Sequence, residues 1–82
     1  MNAKEMFEKL GYNKIEHSSE IIEYSRLTPD GNIEYITFNL KGEYKSFACF
    51  LNNNFSWCYF NEIPAINKQI EELGWIKEKE NE

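Results

Sequence analysis

The stretch from Ile33 to Phe60 constrains the fold more than any other. It reads IEYITFNL, KGEYKSFACFL, NNN and FSWCYF. These are three runs rich in β-branched and aromatic residues, broken by turn formers, so they predict neighbouring strands. In Ile33–Leu40, Ile36, Phe38 and Leu40 alternate with Tyr35, Thr37 and Asn39, the period of a strand with one buried face. In Tyr44–Leu51, Phe47, Cys49 and Leu51 form the core set, while Tyr44, Ser46, Ala48 and Phe50 face away. In Phe55–Phe60 the alternation fails, with Phe55, Trp57 and Tyr59 on one face and Cys58 and Phe60 on the other. A strand apolar on both faces is either covered twice or presents one face to a partner.

The flanking segments supply the remaining layers. Asn2–Leu10 predicts a helix, with Asn2 as N-cap, Glu5 closing a capping box and Ala3, Met6, Phe7 and Leu10 on one face. Gly11 ends it, and Tyr12 can pack back over the last turn. Lys14–Ser18 reads as a short strand and Ile21–Leu27 as a stronger one. Thr28-Pro29-Asp30-Gly31-Asn32 is a turn that joins Ile21–Leu27 to Ile33–Leu40 as a hairpin. Asn61 is the expected cap of a final helix, with Pro64 in its first turn and Gly74 at its end. Ile63, Ile66, Ile70 and Leu73 make the apolar stripe of that helix, and Asn67, Lys68, Gln69, Glu71 and Glu72 its wet side. The expectation is one α+β domain over residues 1–76, with Lys77–Glu82 a solvated acidic tail. Its antiparallel sheet is a meander of four strands, or five with the short one near the start, and the terminal helices pack on one face.

Length and charge limit the functional classes. An 82-residue chain makes one domain with a small core. A hydrophobic content of 41% argues against disorder. Nine basic and 14 acidic residues give a net charge of −5, which repels phosphate backbones and attracts basic protein surfaces. Direct nucleic-acid binding is therefore not expected. MNAKEMFEKL is amphipathic, without a signal peptide's apolar run, and no run reaches membrane-spanning length. These features predict a cytosolic chain with reduced thiols.

No catalytic signature stands out. His17 is the single histidine, and its neighbours Glu16 and Ser18 point to the opposite face of a strand. Cys49 and Cys58 lack metal-ligand spacing, and a loop made of Asn52–Asn54 sends them to opposite faces of the hairpin, as buried thiols. Neither a catalytic residue, a metal nor a cofactor is expected. The carboxylates Glu16, Glu20, Glu23 and Glu34 fall at one side of the sheet as an acidic edge. Tyr35, Tyr44, Phe50, Trp57 and Tyr59 fall together as an aromatic patch on the helix-free face, and aromatics favour interfaces.

The opening NAKEMFEKLGY and the closing PAINKQIEELGW resemble the ends of small uncharacterised proteins of phages and integrative elements in low-GC Gram-positive bacteria. The match covers about a quarter of the chain and rests on core and cap positions, so it speaks for fold. Pro64 departs from the family's usual helix former at that point. Mobile elements carry small acidic proteins that block host defence, anti-CRISPR proteins among them, and the resemblance implies a protein of that kind by analogy. The implied function is non-enzymatic: binding a nucleic-acid-binding host protein, such as a CRISPR effector, and occluding its basic channel. Glu16, Glu20, Glu23, Glu34, Tyr35 and Trp57 are the residues expected to meet that partner. The alternative is a homo-oligomeric sponge for a small nucleotide, with Arg26, Lys41 and Lys45 on phosphate.

Overall fold

A computed structural model describes residues 1–76. The expected acidic tail, Lys77–Glu82, lies outside the described residues. The chain runs α1 (Ala3–Lys9), β1 (Asn13–His17), β2 (Ile21–Leu27), β3 (Ile33–Asn39), β4 (Ser46–Leu51), β5 (Asn54–Phe55), a 3₁₀ turn (Phe60–Glu62) and α2 (Ile63–Glu72). The strands form one antiparallel sheet in the order β1-β2-β3-β4-β5. This is the expected α+β meander, with the short strand near the start present as β1.

Both helices close in the same way. Leu10-Gly11-Tyr12 ends α1: the Gly11 N–H donates to Glu8 O at 2.9 Å and the Tyr12 N–H to Phe7 O at 3.0 Å. Leu73-Gly74-Trp75 ends α2, with Gly74 N–H to Glu71 O at 3.0 Å and Trp75 N–H to Ile70 O at 3.2 Å. This pair of bonds needs a left-handed residue after the cap, and φ is +95° at Gly11 and +74° at Gly74. The aromatic residue that follows is thereby turned back: Tyr12 is buried, and Trp75 packs against the core. The Leu-Gly-aromatic ends thus have a mechanical meaning that belongs to folding.

One face of the sheet carries the core. Ile22 and Tyr24 of β2 pair with Phe38 and Ile36 of β3, which pair in turn with Phe47 and Cys49 of β4. Phe7 of α1 and Ala65 and Ile66 of α2 close over them. Phe7 stacks on Tyr24 with ring centroids 4.1 Å apart and meets the edge of Phe38. The helices lie antiparallel to each other. Glu72 at the end of α2 accepts the Ala3 N–H at the start of α1 at 2.8 Å, while Leu10 and Pro64 line one groove at the opposite ends. Gln69, expected on the wet side of α2, is buried and accepts the Tyr24 hydroxyl at 2.6 Å. Without that bond a tyrosine in the core would strand its hydroxyl. Ile63, expected in the apolar stripe, is exposed.

A buried polar cluster ties the strands to the helix-bearing ends. Arg26 of β2 lies opposite Glu34 of β3 on the core side. Its Nε donates to Glu34 Oε1 at 2.6 Å, Nη1 to Leu10 O at 2.7 Å and Nη2 to Glu62 Oε2 at 3.2 Å. The Tyr12 hydroxyl donates to the same Glu62 oxygen at 2.6 Å, and the Arg26 guanidinium stacks 4.4 Å from the Tyr12 ring centroid. Glu62 is only 1% exposed. It also accepts the Tyr59 N–H, so it replaces the expected Asn61 as the residue that organises entry into α2.

The closing strand departs most from expectation. The predicted Phe55–Phe60 strand is reduced to Asn54–Phe55, followed by irregular chain and the 3₁₀ turn. The hairpin register differs from expectation as well. Leu51 pairs with Asn54 and Phe50 with Phe55, so the loop is Asn52-Asn53, with Asn52 at φ +54°. A two-residue loop shifts the register by one against the three-residue loop expected from Asn52–Asn54, and a one-residue shift exchanges the faces. Past Phe55 the chain leaves the sheet, and Cys58 comes to lie beside Cys49. The two form a disulfide across Cα atoms 5.8 Å apart, which corrects the expectation of reduced, separated thiols.

Candidate interaction face

The helices cover one side of the sheet and leave the other open. The register assigns that open face: Glu16 and Glu23, Ser25 and Tyr35, Thr37 and Ala48, Phe50 and Phe55 are its cross-strand neighbours or partners. Tyr35 and Phe50 are directly opposed on β3 and β4. Phe50 stacks on Phe55 with ring centroids 5.0 Å apart. The result is an aromatic row, Tyr35–Phe50–Phe55, running to the β5 edge of the sheet. Beyond it Phe55 is 81% and Trp57 82% exposed. Exposed aromatic area of this kind, beside charged residues, marks interaction surfaces.

At the other end of the face lie the acids. Glu16 and Glu23 are directly opposed, next to an irregularity in β1 between Lys14 and Glu16. Like charges in that position cost stability. Glu23 Oε2 accepts the Thr37 hydroxyl at 2.6 Å, which fixes the carboxylate over the middle of the sheet. Between the acidic and aromatic ends is a shallow depression of about 290 Å³ lined by Glu23, Tyr35, Phe50, Asn52 and Asn53.

The strand-borne cations all lie on the other side. Lys14 is paired with core-facing Tyr24 and places its ammonium 5.8 Å from that ring centroid. Its Nζ is also 3.1 Å from His17 Nδ1. Arg26 is committed to Glu34, Glu62 and Leu10, through all three guanidinium nitrogens. Burial alone would pull its pKa down; the Glu34 hydrogen bond and the surrounding groups outweigh this and hold it up. No lysine or arginine occupies an open-face strand position among the described residues.

The residues expected to meet a partner are thus divided. Glu16, Glu23 and Tyr35 come together on the open face. Trp57 lies past β5, fully accessible, beside Phe55. Glu20 sits in the β1–β2 turn and faces Lys41 at 4.0 Å. Glu34 is on the opposite face, 12% exposed and paired with Arg26, so it contributes nothing to an acidic edge. The position alternates with Tyr35, and strand parity alone separates them. Phe50, which sequence reading placed in the aromatic patch, joins the face, and Phe55 extends it; Asn52 and Asn53, read as turn formers, supply its rim.

For the phosphate-binding alternative, Arg26 points inward and only Lys41 and Lys45, in the β3–β4 loop, remain outside the core. Among the described residues no group of three or more His, Cys, Asp or Glu is placed to hold a metal ion. No described helix is long and apolar enough to cross a membrane. No protein-family model, curated protein or solved structure matches the chain.

Proposed function

We propose that the chain is a non-catalytic binding protein whose open sheet face docks onto a basic surface of a host protein and keeps nucleic acid off it. The observation that carries this reading is the sorting of charge and aromatic area. The open face holds Glu16, Glu23, Tyr35, Phe50 and Phe55 and, among the described residues, no strand-borne cation. Such a face matches a groove built to hold phosphates, which is lined by Lys and Arg. The resemblance of the chain's two ends to small proteins of phages and integrative elements supports a bacterial defence protein, such as a CRISPR effector, as the partner.

The test is affinity capture from a lysate of a low-GC Gram-positive host, with and without nuclease. The parent chain is compared with Glu16→Lys/Glu23→Lys and with Glu20→Lys as an off-face control. The expected result is a nuclease-resistant, nucleic-acid-binding partner that is lost with the double variant and retained with the control. Retention by the double variant would sink the docking reading. A chain that captures no protein, runs as an oligomer and gains thermal stability with a nucleotide would transfer the function to nucleotide sequestration.

A further inference from the structure

We infer that the depression between Glu23, Tyr35 and Phe50 is a receptor site for a guanidinium group, the side chain of an arginine on the partner. The inference rests on the docking reading above and deepens it by naming the group that the face grips. Three observations on different residues converge. First, the site has a fixed anion. The Thr37 hydroxyl holds Glu23 Oε2 at 2.6 Å, and Oε1 has no partner among the described residues. Second, it has aromatic walls. Tyr35 and Phe50 oppose each other across β3 and β4, and Phe50 is itself held in a stack with Phe55. Third, it has room, about 290 Å³ open to solvent, with the Asn52-Asn53 turn as its rim.

A planar cation suits these features better than a compact one. A guanidinium can lie flat on an aromatic ring while its edge donates to a carboxylate. An ammonium can satisfy the carboxylate but gains less from the rings. Glu23 stands diagonal to Tyr35, since its direct partner is Thr37, two residues along β3. That spacing places carboxylate and ring side by side, as a stacked and edge-bonded guanidinium requires. The rim adds acceptors. Asn53 makes no side-chain hydrogen bond among the described residues, whereas Asn52 is already committed, its Oδ1 to the Ile33 N–H and its Nδ2 to Asn32. Asn53 Oδ1 can therefore take one of the remaining guanidinium donors. Glu16, directly opposite Glu23, adds negative potential without forming part of the depression.

The experiment is an amide-resolved NMR titration of the full chain with N-acetyl-arginine methylamide. The matched lysine and citrulline compounds serve as probes of charge shape and of charge itself. Saturable shifts are expected at Glu23, Tyr35, Phe50 and Asn53 with the arginine compound. Affinity should drop about tenfold with citrulline, which keeps the shape and loses the charge, a difference of about 1.4 kcal/mol. Glu23→Gln should weaken the arginine compound by a similar factor, and Tyr35→Leu should remove its advantage over lysine. Equal response to citrulline, shifts scattered over the acidic surface, or a concentration-dependent change at the same residues without any probe would each overturn the assignment. The last would give the face to a second copy of the chain. If arginine binds here while the host-protein capture is insensitive to Glu16→Lys/Glu23→Lys, the docking reading fails and the site stands. If capture is lost with that variant while arginine does not bind, the reverse holds.

Discussion

Replacing Glu62 by alanine tests the packing logic of the fold at its most buried charge. The carboxylate is 1% exposed and accepts three donors: the Tyr12 hydroxyl, Arg26 Nη2 and the Tyr59 N–H. Breaking a buried ion pair by deleting one partner costs about 3–5 kcal/mol. The low end applies here, because Arg26 keeps Glu34 at 2.6 Å and the Leu10 carbonyl at 2.7 Å. The Tyr12 hydroxyl is then left buried without an acceptor, which adds about 1–3 kcal/mol. The sum is about 4 kcal/mol or slightly more. A chain of this length has a total stability of about 4–12 kcal/mol at roughly 0.05–0.15 kcal/mol per residue. Glu62→Ala should therefore remove a third or more of the stability. Glu62→Gln keeps one acceptor oxygen for Tyr12 and Arg26 but loses the charge and, with an amide NH2 in place of Oε1, the bond from the Tyr59 N–H, so it should cost about 1.5–3 kcal/mol, less than the alanine variant. Urea unfolding followed by circular dichroism measures both, and an unchanged m-value identifies the effect as one on the native state. If Glu62→Ala lies within about 1 kcal/mol of the parent, the cluster does not hold the α1 end, the sheet and α2 together, and the assignment of Glu62 as the organiser of that corner is wrong.

Other parts of the structure give sharper, smaller tests. Reduction of Cys49–Cys58 opens a loop whose ends are nine residues apart and should cost at most about 2.7 kcal/mol by chain entropy; two free thiols per native, unreduced chain would refute the bond. Burial, helped by the Glu72 and Glu8 carboxylates, pushes Tyr24 up to about 12. Burial, then the hydrogen bond to Glu62, raises Tyr12 as well. Since the folded chain holds these protons more tightly than the unfolded one, stability is full below about pH 10 and is lost as pH rises towards 12. Tyrosinate absorbance from these two residues should appear together with unfolding, and its appearance in a folded chain at pH 10 would contradict the burial. Glu16→Gln relieves the opposed carboxylates and should stabilise the fold by about 0.2–1 kcal/mol while weakening partner capture. A loss of stability in that variant would show that the acidic pair is not a cost borne by the sheet.

Local chemistry made most of the fold legible. The Asn2–Glu5 capping box, the Leu-Gly-aromatic ends, the Thr28–Asn32 turn and the alternation in Ile33–Asn39 all appear where the residues predict them. Each is decided within a few residues. The failures share a different character, because each depends on a choice made elsewhere in the chain. Asn52–Asn54 can close a hairpin with two residues or three, and the sequence does not distinguish them. The two-residue solution puts Phe55 on the open face opposite Phe50, and in the chain that follows Cys58 lies beside Cys49 and Trp57 is exposed. Gln69 reads as solvent-facing, and nothing local singles out Glu62, until Tyr12, Arg26 and Tyr24 are known to need acceptors in the core. At the candidate face, the types of residue were visible and their side of the sheet was half visible. Tyr35 follows from alternation, whereas the acidic edge groups Glu23 with Glu34, and the structure separates them because Glu34 has the opposite parity to Tyr35 on β3.

That parity also explains why so small a chain can present an unbalanced face. Among the described residues only Lys14 and Arg26 of the cations sit on strands, and both occur at positions turned towards the helices. Arg26 could not remain there alone, since a guanidinium 22% exposed needs compensation. Glu34 and Glu62 supply it, and they also withdraw two carboxylates from the surface. Arg26 is therefore fully compensated on the core side, while Glu16 and Glu23 on the open side have no cation opposite them. A chain selected only for stability would gain from placing a lysine across from Glu23, as cross-strand pairing favours opposite charges. The sheet instead places Glu16 there, on the same open face as the aromatic row and at its opposite end. Local cost of this kind on an otherwise consistent fold is where function is to be sought, and here it points to the same depression that geometry and charge single out.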